Sequence, residues 1–126
     1  MPEHEYDAVQ DPSAATTASR VITVMTTTDG EEHARHLAAT AVERRLAACA
    51  QIDGPVTSVY RWEGEVRADQ EWRVLYKTTA DRCAALEAHV RAEHTYDVPE
   101  VIALPVTAGS DAYLAWVREE TREPGA

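Results

Sequence analysis

Ser58-Val59-Tyr60-Arg61-Trp62-Glu63-Gly64 lies at the midpoint of the chain and closes a long strand pattern running from Cys49 to Trp62. Within that pattern Val56, Ser58, Tyr60 and Trp62 point one way, and Thr57, Val59 and Arg61 the other. Gly64 interrupts the alternation and suggests a bulge. A turn near Arg67 to Gln70 leads into the next strand, Glu71 to Lys77, where Trp72, Val74 and Tyr76 alternate with Glu71, Arg73, Leu75 and Lys77. The two strands make a ribbon that extends past the rest of the sheet and carries Tyr60, Trp62, Trp72 and Tyr76. Two helices of one subunit cannot cover these aromatic faces, so an oligomer is expected, with Tyr60, Trp62 and Trp72 at its interface.

Outward from the ribbon the elements alternate. Val21 to Thr27 is β-branched and apolar, a strand. Thr28 and Asp29 offer caps, with Glu31 and Glu32 at capping-box spacing, for a helix from about Gly30 to Arg45. That helix buries Ala34, Leu37, Ala38 and Ala41 along one face. A second helix, about Ala80 to Glu93, sets Cys83, Leu86 and Val90 on one stripe. A strand follows from Val101 to Val106, and a short last helix, capped by Ser110, presents Tyr113, Trp116 and Val117. The order βαββαβ with a C-terminal helix defines an α+β, ferredoxin-like sandwich with an extended ribbon of second and third strands. Its crossovers are expected to be right-handed. Residues 1–19 read as a flexible amino-terminal tail, 20–121 as the folded domain and 122–126 as a carboxy-terminal tail.

The 126 residues suffice for one domain with a modest core. Acidic residues outnumber basic ones, 22 to 12, for a net charge of -10, which argues against nucleic acid and anionic membrane as partners. Two cysteines, Cys49 and Cys83, are too few for a disulfide framework, and neither lies in a Cys-x-x-Cys pair. No apolar run approaches the roughly 20 residues of a membrane span, and the amino terminus lacks a signal-peptide pattern. A cytoplasmic location is the expectation.

Arg44-Arg45-Leu46-Ala47-Ala48-Cys49, Ser58-x-Tyr60-x-Trp62-x-Gly64, Glu71, Lys77-Thr78-Thr79, His94-x-Tyr96-x-x-Pro99-Glu100 and Tyr113-Leu114-x-Trp116 resemble, in order and spacing, the marker segments of the CutA family of divalent-cation tolerance proteins. The resemblance spans about Val21 to Thr121, so that 20–121 is expected to be a CutA-like domain. It implies a homotrimer of ferredoxin-like subunits, similar to the PII signalling proteins, with a role in cation tolerance and copper as the metal bound. Two positions depart from the pattern. A cysteine that several members carry late in the first strand is Met25 here, a soft thioether that suits Cu(I) but supplies no thiolate charge. A histidine found in some members just before the one matching His94 is Glu93. The metal-site expectation therefore rests on His94 and Met25.

Each candidate also has a plainer reading. His94 ends the second helix close to the azimuth of its apolar stripe, so it serves either as core cover or as a ligand. Cys49 and Cys83 suit packing. His33 and His36, three apart, hold a metal or face solvent. Lys77 and Glu100 at strand ends form either a surface ion pair or, with Glu71 and Tyr96, a polar ligand cleft between subunits. Phosphate-loop, nucleophile-elbow and zinc-protease signatures are missing, which points away from an enzyme. The leading reading is a CutA-like protein binding divalent metal, with copper the expected ion, in cation homeostasis. The alternative is a PII-like regulatory module that binds a small metabolite or a partner protein at the intersubunit cleft. An acylphosphatase-like enzyme would need an Arg- and Asn-bearing loop after the first strand, and the chain contains no Asn.

Overall fold

The computed structural model describes residues 8–9 and 17–123. The strands of its main sheet are β1 (Val21–Thr28), β2 (Cys49–Trp62), β3 (Glu65–Thr79) and β4 (Ile102–Pro105), and its α-helices are α1 (Glu31–Glu43), α2 (Cys83–Glu93) and α3 (Asp111–Glu120). The four strands form one sheet in the order β2-β3-β1-β4, with every neighbouring pair antiparallel. This is the expected ferredoxin-like arrangement, also called PII-like. β1 sits inside the sheet because its β-branched and apolar residues are buried on both faces: Val21, Ile22, Val24, Thr26, Thr27 and Thr28 are all buried.

Alternation along β1 divides the core. Ile22 and Val24 join Val74 and Tyr76 beneath Ala34, Ala38 and Ala41 of α1 and Leu86 and Val90 of α2. Val21 turns the other way and packs with Ala48 and with Leu114 and Val117 of α3. The third helix thus covers the opposite face of the sheet from the first two. Along that face Met25 lies opposite Leu75 and Ile102, and Thr23 opposite Lys77 and Leu104. Ile102 and Leu104 are 44% and 45% exposed there.

Several local expectations need correction. The ribbon turns at Glu63-Gly64, and neither a bulge at Gly64 nor a turn at Arg67–Gln70 is present. Both turn residues have positive φ, 51° and 78°, as a tight two-residue hairpin requires. Arg67 to Gln70 contains no glycine, stays extended and pairs with Tyr60 to Thr57. The register irregularity falls instead between Asp53 and Val56, at Gly54 and Pro55. A Cβ on Gly54 would lie 2.6 Å from Cδ1 of Trp72, so the close backbone approach there excludes any side chain.

Gly30, not Thr28 or Asp29, is the N-cap of α1, and no side chain caps it. Ser110 does cap α3, accepting a hydrogen bond from the Tyr113 N–H at 3.3 Å. The face that α3 buries is Leu114 and Val117, while Tyr113 and Trp116 remain exposed. Ala80–Arg82 forms a 3-10 turn, so α2 begins at Cys83.

Of the expected amino-terminal tail, 1–7 and 10–16 lie outside the described residues. Ala8–Val9 pairs with Ala108–Gly109, and Thr17–Ser19 forms a 3-10 turn. Of the expected carboxy-terminal tail, 124–126 lie outside them. The Arg122 carbonyl accepts from Arg45 Nε at 3.0 Å, and Glu123 pairs with the nearly buried Arg82 at 3.0 Å.

Leu86 is fully buried in the cluster between α2 and the sheet. Replacing it with Ala should destabilise the fold by about 2–5 kcal/mol. Denaturant unfolding followed by far-UV circular dichroism measures this, and an unchanged midpoint would contradict the packing described.

Candidate functional site

A cleft opens where the ribbon leaves the sheet, with a cavity of about 570 Å³. The ribbon supplies Tyr60, Trp62, Arg67 and Glu71, and the loop after α2 supplies Tyr96 and Glu100. The register explains the convergence: Tyr60 lies opposite Arg67, Ser58 opposite Asp69 and Val56 opposite Glu71, so these side chains share one ribbon face. The loop returns over that face after α2 ends at His94, whose backbone is extended.

Hydrogen bonds hold the walls. The Tyr96 O–H donates to Glu71 Oε2 at 2.7 Å, joining loop to ribbon. The Tyr60 O–H donates to Asp69 across the ribbon. His94 supports the loop from behind: its ring centroid is 4.7 Å from that of Tyr96, and its Nδ1 accepts from the Tyr96 N–H at 3.0 Å. Its other nitrogen, Nε2, donates to the Thr27 carbonyl at 2.8 Å, since a carbonyl oxygen only accepts.

The sequence-predicted residues therefore separate into groups. Glu71, Tyr96 and Glu100 meet in the cleft. Lys77 does not join them; it lies farther along β3 on the outward face, and its Nζ donates to Gln51 Oε1 at 2.8 Å. Tyr60 and Trp62 line the cleft, 40% and 45% exposed. Trp72 packs instead against the core beneath the helices, and Tyr76 is wholly buried.

His94 and Met25 are not brought together as a metal site. Met25 alternates onto the outward face with Leu75 and Ile102, whereas His94 lies against His33 of α1, ring centroids 5.6 Å apart. Both His94 nitrogens are already engaged, which leaves no lone pair for a metal. Among the described residues no group of three or more His, Cys, Asp or Glu is placed to hold a metal ion. The donors present do not fit a resident copper ion at His94 and Met25.

Among the described residues, His36 and His89 bridge the α1–α2 seam. His36 Nε2 is 2.8 Å from Glu93 Oε1, and His89 Nε2 is 2.8 Å from Thr40 Oγ1. Burial pushes His33 and His89 below the ordinary imidazole value, helped by neighbouring His94 for the first and Arg44 for the second. Missed in the sequence were Arg67, Asp97 and Val98 as cleft residues. The hairpin turn at Glu63-Gly64 was the signal for Arg67, because it places that residue opposite Tyr60. Cys49 Sγ lies 3.5 Å from the Tyr113 hydroxyl on the face that α3 covers.

The fold and cleft define the chain as a ferredoxin-like, PII-like module with a lengthened hairpin. A family model described as CutA1 divalent ion tolerance protein matches residues 22–120. The chain belongs to that family. It is 49% identical over 98 residues to a divalent-cation tolerance protein CutA from Thermus thermophilus, covering 78% of this chain and 95% of that one. It is 46% identical over 101 residues to a chloroplastic CutA from Arabidopsis thaliana, covering 80% of this chain but 56% of the longer relative. Among solved structures, CutA1 from Oryza sativa superposes with a TM-score of 0.81 at 43% identity, over 85% of this chain and 98% of that one. The Thermus thermophilus structure gives 0.79 at 47% identity, over 81% and 99%. Among the described residues no helix is long and apolar enough to cross a membrane.

Burial, then the bond to and charge of Glu71, push the Tyr96 phenol above its ordinary value. Burial alone does the same to Tyr76. Tyr113 is pushed up to about 12, chiefly by burial and then by Cys49. A raised phenol pKa means the folded chain holds its proton longer than the unfolded chain. The stability linked to these groups is thus complete below pH about 10 and is lost as pH rises through the folded values. Ultraviolet absorbance titration should find these three phenols ionising late, with unfolding accompanying the final rise. Ordinary titration of all tyrosines with the fold intact would contradict this placement.

Proposed function

We propose that this chain serves divalent-cation tolerance as a homotrimer that binds a small ligand in the cleft at the base of its ribbon. The observation that carries the reading is the cleft itself: about 570 Å³, closed between ribbon and loop by the Tyr96–Glu71 hydrogen bond. A cavity of that size with a few fixed polar groups suits a small molecule. This is the PII-like regulatory reading, and the role is binding rather than catalysis. The link to divalent cations comes from the family. Copper held by His94 and Met25 is not part of the proposal, because the His94 nitrogens hold Thr27 and Tyr96.

Exposed apolar surface supports the trimer. Ile102, Leu104, Tyr113 and Trp116 are each 43–45% exposed. They belong to β4 and α3, the elements at and over the outward face, and such surface suits a subunit contact. The free thiols of Cys49 and Cys83 fit the reducing cytoplasm that we propose as its location.

Light scattering coupled to size exclusion should report a trimer for the full chain and for Glu71→Gln. Cells lacking the chain, complemented with either form and challenged with excess copper, then test the site: wild type should restore growth and Glu71→Gln should not. Equal rescue by a well-folded Glu71→Gln protein would reject the cleft as the working site. A monomer at micromolar concentration would reject the assembly. Copper calorimetry should give the same affinity for wild type and His94→Ala.

A further inference from the structure

The chemical character of the cleft narrows what it binds. Its aromatic walls are Tyr60, Trp62 and Tyr96, and its acidic groups are Glu71, Asp97 and Glu100. The cation among its lining residues, Arg67, lies 3.6 Å from Glu63 and 3.8 Å from Glu65, carboxylates of the hairpin turn. Three carboxylates therefore share the lining with one guanidinium that is already balanced by two others, in a chain of net charge -10. An anion entering this cleft meets repulsion.

The aromatic groups are held in a particular way. The Tyr60 and Tyr96 hydroxyls are committed to Asp69 and Glu71, so their donor protons are not available to a ligand. What they offer is ring surface, fixed at the phenol end by these bonds. The indole of Trp62 adds the ring type that attracts cations most strongly. A bare divalent metal ion would instead need several donors converging on one point, and among the described residues no three His, Cys, Asp or Glu side chains do so. Ring faces backed by carboxylates suit a cation too diffuse to be coordinated: an ammonium nitrogen bearing carbon substituents.

We propose that the cleft takes a small organic ammonium ion, its charged nitrogen held against Tyr60, Trp62 and Tyr96 and balanced by the surrounding carboxylates. This rests on the reading of the cleft as the ligand site and adds the class of ligand. It also separates the ligand from the metal: the chain would sense an organic cation while serving tolerance of an inorganic one.

The test uses the full assembled chain, with binding followed by calorimetry and by tryptophan fluorescence. The cationic probes are choline and butylamine, protonated at neutral pH. Dimethylbutanol, the neutral carbon isostere of choline, and inorganic phosphate are the controls. At least one cationic probe should bind about tenfold more tightly than dimethylbutanol. Trp62→Leu should lose about that factor, Trp62→Phe should keep most of it because a ring face remains, and Glu71→Gln should weaken the cations without weakening dimethylbutanol. Circular dichroism and light scattering confirm that each variant is folded and assembled. Binding of dimethylbutanol as tight as that of both cationic probes would overturn the ammonium inference and leave the ligand site standing, as would binding of phosphate alone. If none of the four probes binds, both the inference and the ligand-site reading fall. Equal affinity of Trp62→Leu and wild type for the tighter-binding cationic probe would also overturn the inference.

Discussion

The register of β2 against β3, set by two positive-φ residues at Glu63 and Gly64, determines which side chains reach the cleft and which reach the core. A strand has a side-chain period of two, so a slip by one residue would exchange every inward group for an outward one. With the turn where it is, Tyr60 lies opposite Arg67, and Glu71 falls on the same face. Trp72, the next residue, turns inward beneath the helices. The irregularity at Gly54-Pro55 makes room for that indole, where any Cβ would collide with it. Core and cleft thus follow from one hydrogen-bonded ladder.

The same ladder separates two kinds of chemistry. On the helix side, Val74, Tyr76, Leu86 and Val90 exclude water completely. On the outward side, beyond the part that α3 covers, β2 and β3 are joined by exposed polar pairs: Arg73 grips Asp53 with bonds of 2.9 and 2.8 Å, and Lys77 reaches Gln51. Pairs as exposed as these contribute little to stability. The Arg73 guanidinium holds the Asp53 carboxyl below its usual range, mainly through their hydrogen bond.

His94 shows how a residue associated with metal becomes a structural support. It sits where α2 ends and the chain turns back toward β4, with the Thr27 carbonyl at the end of β1 on one side and the Tyr96 amide on the other. Each of its nitrogens meets one of these backbone groups, so the imidazole ties strand to loop. That tie positions Tyr96 against Glu71. Its contribution to the cleft is therefore one of geometry, two residues removed from the ring that lines it.

The element order, the buried stripe of α1, the Ser110 cap and the cleft residues Glu71, Tyr96 and Glu100 were legible in the sequence. Each rests on local periodicity, on cap chemistry or on a family pattern that survives as a linear motif. The hairpin turn was misread because Glu at a positive-φ position carries no propensity signal, whereas Gly64 has two readings, bulge and turn. Lys77 could not be excluded from the cleft, nor Met25 separated from His94, by spacing alone. Residues at the ends of elements look like neighbours in any linear reading, but β1 alternates the Met25 side chain onto the outward face, whereas His94 meets only the backbone carbonyl of Thr27 and lies against His33 of α1. Strand alternation and ladder register are properties of paired backbones, and they acquire a direction in space only when the sheet has formed.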